Sequence, residues 1–285
     1  MHNNTTYFKA FSAFFIWSFL GVLLNKSSFT AFQIAFLLSG FAVLWLFLIL
    51  IGKKQISSFS KIKLNTSFLL FSLISGIAGV IWLKALTLIP VAQALFLFSS
   101  LPIFALLIEI IIFKEKITKV QLLAILAGLI GIVILVSGDL INHGGPIFSI
   151  GSILVLIVAL LFAIQGFLVK KIGTSCPFIM MIFIVMLSQM LVSAPFAFSS
   201  PWYFENNSFA VISIFSILNG TIAWFFYFDA LKVLKVSTVR LIGYLEPMLG
   251  SFWGIIFLSQ VLLLSTVAGA FFILLASFLA IKNKK

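Results

Sequence analysis

The chain has 285 residues, of which 63% are hydrophobic and only 8% are charged. An ordinary soluble domain carries about 25% charged residues, so this chain has too little charge to keep a folded surface in water. One cysteine, Cys176, excludes an internal disulfide, and two widely separated histidines give no cluster with metal-ligand spacing. We therefore expect an integral membrane protein with no cofactor and no bound metal.

The net charge of +12 does not indicate a nucleic-acid partner. The lysines are confined to the breaks between apolar segments and form no basic groove with stacking aromatic residues. Positive charge in such breaks instead sets the orientation of a membrane protein. The partners that we expect are the lipid bilayer and a small-molecule substrate.

Ten apolar segments follow one another along the chain, each close to the roughly 20 residues that a helix needs to cross a bilayer. The first runs into Gly21 and Asn25 without the small-residue cleavage site of a signal peptide, so it counts as the first helix. The sequence thus predicts an all-α integral membrane protein with ten transmembrane helices. Their predicted spans are 7–24, 31–51, 66–88, 90–113, 119–138, 148–169, 177–198, 208–231, 236–258 and 262–281.

The positions of the basic residues predict the orientation of these helices. If the N-terminus is cytoplasmic, 15 of the 18 lysine and arginine residues fall in cytoplasmic segments. The segments on the other side then carry Lys26, Asp139 and Glu205. By the positive-inside rule, both termini are expected in the cytoplasm. A bacterial inner membrane is the expected location.

A constant shift of 145 residues aligns the two halves of the chain without a net gap. Since each half has five helices, the second copy must enter the membrane from the opposite face, as in many secondary transporters. This predicts two inverted five-helix repeats, residues 1–140 and 146–285. Chance similarity between two apolar segments is the alternative. The coinciding residues include Gly21 with Gly166, Lys26 with Lys171, Val91 with Val236, and Pro102 with Pro247.

Segments 83–135 and 228–281 each contain a tight turn, a helix with a central proline, a polar break and a closing helix. The second segment also carries Leu245-Glu246-Pro247. In these features the chain resembles the EamA family of the drug/metabolite transporter (DMT) superfamily, and the resemblance implies a transporter with this inverted-repeat fold. The first copy departs from the pattern with Ser-Leu-Pro at 100–102. The second break, Leu258-Ser259-Gln260, lacks an acid, which predicts a weaker cap on its closing helix.

Glu246 is the strongest candidate for a functional residue. It lies about ten residues into the ninth predicted helix, near mid-depth, where an ionised carboxylate is costly and normally faces a cavity. Pro247, which follows it, removes a backbone donor and frees a carbonyl, as Pro102 does in the first half. The alternative is that Glu246 is neutral and only packs against a neighbouring helix.

Arg240 is the only arginine in the chain and lies one turn inside the same helix. Its planar guanidinium fits a carboxylate or phosphate, but it can equally reach the inner lipid headgroups. Lys84 and Asp229 coincide under the shift. Inverted symmetry places Lys84 near the outer face of the membrane and Asp229 near the inner face, so they are not expected to pair.

Further candidates for the substrate pathway are polar or aromatic residues near helix centres, although each can instead face lipid or another helix. Two other tryptophans, Trp82 and Trp202, fit an outer aromatic belt. Close helix packing is expected at Gly76–Gly79, Gly128–Gly131 and Gly250–Gly254. The pathway candidates are Trp17, Gln165, Asn219, Trp224, Tyr227 and Tyr244.

The function that the sequence favours is secondary transport of a small metabolite, an amino acid or a related compound, by alternating access. Export is the direction that the resemblance implies. The chain has no nucleotide-binding motif, which argues against a primary pump. A membrane-embedded enzyme and a non-transporting scaffold or sensor are the alternatives, and a monomer and a homodimer are both left open. A cavity reaching Glu246 would favour the transporter.

Overall fold

The computed structural model describes residues 2–54, 65–114, 118–143, 149–172, 177–204, 208–234, 239 and 242–282, and the regular secondary structure of these residues is helical. A π-helix at Leu218–Ala223 joins α10 to α11. The α-helices are α1 (His2–Ser18), α2 (Leu20–Lys26), α3 (Ala31–Gly52), α4 (Thr66–Ala85), α5 (Val91–Phe98), α6 (Leu101–Phe113), α7 (Lys119–His143), α8 (Ile150–Ile172), α9 (Phe178–Ala197), α10 (Ser208–Ile217), α11 (Trp224–Val233), α12 (Leu245–Leu258) and α13 (Leu264–Lys282).

Seven helical spans within the described residues are long and apolar enough to cross a bilayer, so the chain is a multi-pass membrane protein. Three shorter apolar helices lie where the fifth, ninth and tenth spans are predicted, at Lys119–Leu135, Leu245–Leu258 and Leu264–Ala276. The count of ten transmembrane helices stays a prediction. The seven spans are Thr5–Lys26, Ala31–Gly52, Thr66–Ala85, Val91–Ile112, Ile150–Val169, Phe178–Ala197 and Ser208–Ala230.

The surface of the helical bundle is apolar, and several polar side chains are buried inside it. Ile111 and Leu264 are 70% and 84% exposed, whereas Gln33 and Ser75 are 1% exposed. Lipid solvates an apolar surface without cost, but it offers no hydrogen bonds to a polar group. The buried hydroxyl of Ser75 therefore donates to the carbonyl of Phe71 in its own helix.

The helix pairs with the most extensive contacts each join the two halves of the chain. They are α7 with α13, α3 with α9, α4 with α8, α4 with α9, α1 with α11 and α3 with α10. At the α7–α13 contact, a Cβ added to Gly131 would lie 2.8 Å from the carbonyl oxygen of Gly269, and one added to Gly269 would lie equally close to that of Gly131. The close packing predicted at Gly131 is confirmed.

Several of the apolar spans are interrupted. A turn at Phe19 separates α1 from α2, and Ser99 and Ser100 separate α5 from α6. Pro102 and Pro247 lie in the first turns of α6 and α12, where a missing backbone N–H breaks no helical hydrogen bond. The turns at Ser99–Ser100 and at Tyr244 therefore come just before these prolines, whereas no proline follows the turn at Phe19.

The helices α6 and α12 end in the same way. Lys114 and Ser259, which are 145 positions apart, both adopt the left-handed conformation with φ of 53° and 52°. Their amides donate to the carbonyls of Glu109 and Gly254, each five residues back. Two different sequences, Phe113-Lys114 and Leu258-Ser259, thus form the same helix terminus.

The polar break after α12 caps α5, and not the closing helix α13 as expected. In the first half, Thr118 and Gln121 form a reciprocal pair of hydrogen bonds at the start of α7, 2.8 and 3.3 Å long. In the second half, the side-chain oxygen of Gln260 accepts a hydrogen bond from the amide of Val91, 3.1 Å away, at the start of α5. The second break therefore fastens the two halves to each other.

Candidate functional site

A cavity of about 590 Å³ opens at the end of the molecule where α1 and α9 begin and α3 and α11 end. Both halves of the chain contribute to its walls, so relative movement of the halves would change its shape. The described residues that line it are Lys9, Lys53, Pro177, Phe178, Ile179, Phe225, Phe226, Phe228 and Asp229.

The cavity wall contains two ammonium groups and one carboxylate. Lys9 Nζ lies 2.7 Å from Asp229 Oδ2, with the two side chains 36% and 45% exposed. The ammonium of Lys53 lies 5.7 Å from the centroid of the Phe225 ring. The cavity therefore offers charges of both signs to a bound molecule.

Lys84, which coincides with Asp229 under the 145-residue shift, is not among the described residues that line the cavity. Its ammonium group lies 5.9 Å from the centroid of the Phe32 ring.

Aromatic rings form much of the remaining wall. Phe178 of α9 and Phe228 of α11 stack with their centroids 4.7 Å apart and their planes at 10°. Aromatic faces attract planar groups by stacking and cations through their quadrupole. The wall thus suits a molecule that combines a planar or apolar part with charged groups.

Four of the predicted pathway residues form one cluster next to this cavity. The ring of Trp17 lies 5.2 Å from that of Trp224 and 5.4 Å from that of Tyr227. Its indole nitrogen lies 3.5 Å from the carbonyl oxygen of Asn219. Trp224 stacks on Phe228, which lines the cavity, at 5.5 Å. The ring of Phe14 contacts the rings of both Trp17 and Tyr227. We call the rings of Phe14, Trp17, Trp224 and Tyr227 the inner aromatic cluster. Phe228 connects this cluster to the cavity.

Glu246 is half-buried in the first turn of α12, on the helix face of Gly250 by their spacing of four residues. That face packs against α5 and α1, since a Cβ at Gly250 would touch the Leu95 side chain and lie 3.5 Å from the carbonyl oxygen of Ser18. Within the described part of the chain Glu246 has no cationic partner. It is not among the described residues that line the cavity in this conformation.

The other predicted residues lie elsewhere or outside the described residues. The amide nitrogen of Gln165 donates to the hydroxyl of Ser75, 2.6 Å away, and so joins α8 to α4. Tyr244 is half-buried in the turn before α12. Arg240 lies outside the described residues, so its predicted role stays a prediction.

The sequence alone indicates only an orienting role for Lys9 and Lys53, but both line the cavity. Lys9 lies at the start of one predicted span, and Asp229 lies at the end of another that ends on the same side of the membrane. Two opposite charges at the same depth in the membrane were the signal in the sequence for this ion pair. Lys53 gave no such signal, because it follows the end of its helix like many inner-face lysines.

The π-helix is a second feature that the sequence did not reveal. The hydroxyls of Ser216 and Thr221 are buried and have no hydrogen-bond partner in the described part of the chain. Gly220 between them allows close approach to Ala42 of α3, which a Cβ would meet at 2.6 Å. π-helices are frequent at functional sites. This one carries Asn219, to whose carbonyl Trp17 donates.

The end of the molecule opposite the cavity is closed by hydrogen bonds between the halves. Gln33 donates to the carbonyl oxygens of Ser200 and Pro201 at 3.3 and 3.1 Å. Gln93 donates to the hydroxyl of Ser152 at 3.3 Å, and the amide of Val91 donates to Gln260 nearby. Among the described residues, the structure is thus open at one end and held closed by these hydrogen bonds at the other.

The sequence model of the EamA-like transporter family matches residues 4–137 and, a second time, residues 149–282. The chain belongs to the EamA-like transporter family. The second match begins and ends 145 residues after the first. This is the shift that aligns the halves by their own residues.

Two curated proteins resemble this family member. One is an uncharacterized transporter of Acidianus ambivalens, 27% identical over 208 residues, which cover 70% of this chain and 77% of that protein. The other is an S-adenosylmethionine uptake transporter of Rickettsia prowazekii, 23% identical over 205 residues, covering 72% and 67%. A solved crystal structure with 16% identity superposes with a TM-score of 0.66 over 97% of this chain and 96% of its own. The fold is therefore shared well beyond close relatives.

Proposed function

We propose that this protein is a secondary transporter that exports a small metabolite, an amino acid or a related compound, by alternating access. The observation that carries the proposal is the 590 Å³ cavity between the halves, combined with the closed opposite end. In the predicted orientation the cavity faces the cytoplasm, where an exported metabolite would enter. A site between two halves that is open to one side only is what alternating access requires.

The proposal includes ten transmembrane helices in two inverted repeats, residues 1–140 and 146–285. The pattern of helix contacts supports it, because the pair α1–α11 becomes α8–α4 when the halves are exchanged, and both pairs are present. The pairs α3–α9 and α7–α13 map onto themselves under the same exchange. The matching helix ends at Lys114 and Ser259 support it independently.

The cavity wall supports an amino acid or related compound as the substrate. A molecule with both a carboxylate and an ammonium group can replace each partner of the half-exposed pair Lys9–Asp229. The stacked rings of Phe178 and Phe228 provide a surface for its apolar part. No nucleic acid, metal or organic cofactor is needed for this function.

A second candidate is uptake of S-adenosylmethionine, the substrate in the name of the Rickettsia relative. That molecule combines an amino acid group with a sulfonium cation and a planar adenine, and the cavity offers a carboxylate and aromatic faces for these groups. Uptake would use the same cavity as the site of release into the cytoplasm.

Metabolite-resolved transport in liposomes tests both candidates. Liposomes with the purified protein and liposomes without it would be loaded with a mixture of amino acids and S-adenosylmethionine, and each compound's movement would be followed in both directions. Protein-dependent movement of an amino acid supports the first candidate, and movement of S-adenosylmethionine alone supports the second. A membrane-embedded enzyme would convert a compound without moving it, and a scaffold or sensor would do neither.

A further inference from the structure

The inner aromatic cluster has an equivalent at the other end of the molecule. This inference depends on the proposed inverted repeat. Under the 145-residue shift, Trp17 coincides with Phe162 and Tyr227 with Trp82, so two aromatic positions fall on two aromatic positions. One pair lies on the cavity side. The other lies toward the closed end, because Trp82 is three residues before the end of α4.

The equivalent residues are connected by ring contacts. The ring of Phe98 lies 4.8 Å from that of Trp82, and 5.6 Å from that of Phe162 in an edge-to-face arrangement at 82°. All three side chains are half-buried. Trp82, expected in an outer belt that faces lipid headgroups, thus packs into the interior against Phe98.

The two clusters obtain their connecting ring from different helices. In the outer cluster this ring is Phe98 of α5, whose equivalent in the second half is Gly243. In the inner cluster it is Phe14 of α1, which contacts both Trp17 and Tyr227 and whose equivalent is Ala159. At each of these two pairs of equivalent positions, one half has an aromatic ring and the other half has a small residue. Each cluster therefore has one connecting ring.

The outer cluster also crosses the boundary between the halves. Trp82 and Phe98 belong to the first half, and Phe162 belongs to the second. Rocking of the halves that opens the closed end must therefore alter the contact between Phe98 and Phe162. In the present conformation that contact lies between the closed end and the middle of α8.

We propose that Trp82, Phe98 and Phe162 form a second contact site for the apolar or planar part of the transported metabolite, used when the protein is open to the outside. With the cavity open to the inside, the contact of Phe98 with Phe162 closes this site. When the halves rock, Phe98 separates from Phe162, and both rings face the outer opening. The metabolite then moves from the inner to the outer cluster, between surfaces of the same chemistry.

Cysteine labelling from each face of the membrane tests this site without knowledge of the substrate. In a Cys176→Ser background, the Phe162→Cys variant would be treated with a membrane-impermeant thiosulfonate reagent on one face at a time. The Lys9→Cys variant identifies the cavity face. The Phe271→Cys variant, at a position 64% exposed on the lipid side, is the unreactive control. We expect the Phe162→Cys variant to react from the face opposite the cavity.

Removing the closing ring should increase this reaction. We expect Phe98→Gly to raise the labelling rate of the Phe162→Cys variant several-fold from the outer face, since it removes the ring that contacts position 162. Phe252→Gly, at a half-exposed position of α12, makes the same change away from both clusters and should leave the rate unchanged. If the Phe162→Cys variant is poorly expressed, Trp82→Cys serves in its place.

Absence of outer-face labelling, or a rate independent of Phe98, would overturn the outer site. The liposome transport assay is independent of this result. Transport without outer labelling would refute only the second site, whereas failure of transport would refute the proposed function.

Discussion

The ammonium group of Lys9 lies 2.7 Å from the carboxylate of Asp229, in the wall of the cavity. The pair joins α1 in the first half to α11 in the second. Because both side chains are more than a third exposed, water screens the pair, and such pairs contribute only about 0–1 kcal/mol. A contact of this strength can break and form again as the halves move.

Neutralising either member of this pair should slow transport. Lys9→Gln and Asp229→Asn each remove one charge of the pair that joins the halves, and we expect the transport rate to fall by up to about fivefold, corresponding to about 1 kcal/mol. Exchanging the charges with Lys9→Asp and Asp229→Lys together should restore most of the rate. Initial transport rates at matched protein abundance measure this. A double variant no faster than the single variants would show that the pair itself is unimportant.

Glu246→Gln should abolish transport or uncouple it while insertion and abundance stay near normal. Glutamine keeps the size of the side chain and part of its hydrogen bonding, but it cannot gain or lose a charge near the middle of the membrane. The measurement is transport in liposomes over a range from mildly acidic to mildly alkaline pH. Glu109→Gln, which changes a buried acid of α6 outside the proposed pathway, is the matched control. Full activity of Glu246→Gln throughout that range would remove Glu246 from the mechanism.

Gly131→Leu should strongly destabilise the protein, and Gly166→Leu should not. A side chain at Gly131 meets the backbone of α13 at 2.8 Å, whereas a Cβ at Gly166 has no atom within 4 Å. Overpacking against backbone costs about 1–3 kcal/mol or more, and leucine in an open helical position costs nothing comparable. Thermal unfolding of the purified variants in detergent gives the comparison. Equal melting temperatures would contradict the close α7–α13 contact.

Reporter fusions test the orientation. Fusions after Ser57, Ile117 and Lys285 should report the cytoplasm, and fusions after His143 and Glu205 should report the outside, because the lysine-rich segments remain inside. Reporters active on only one side of the membrane measure this directly. An outside signal after Ile117 would contradict the ten-helix arrangement.

The helical positions could be predicted from the sequence because a bilayer imposes a simple rule. Every apolar segment long enough to cross lipid must satisfy its backbone hydrogen bonds within a helix. Breaks inside the spans were harder to predict. The prolines at Pro102 and Pro247 indicated two of them, but no residue type indicates the turn at Phe19 or the π-helix at Leu218–Ala223, which depend on packing against other helices.

For the candidate site, the sequence identified the residue types but not how they are grouped. The positions of Trp17, Asn219, Trp224 and Tyr227 near helix centres predict a place in the pathway, and the structure brings all four together. The position of Gln165 predicts the same, but its side chain lies against Ser75 instead. Depth along a helix follows from the sequence, whereas the direction in which a helix faces depends on its neighbours.

The sequence by itself determined that lipid surrounds this protein, that its fold class is helical, and that a shift of 145 residues relates its halves. These properties follow from composition and from spacing along the chain. Only the tertiary structure decided that Asp229 pairs with Lys9, and that Gln260 caps α5. Such contacts join residues far apart in sequence. They depend on how the two halves are placed against each other, and no local pattern of residues encodes that placement.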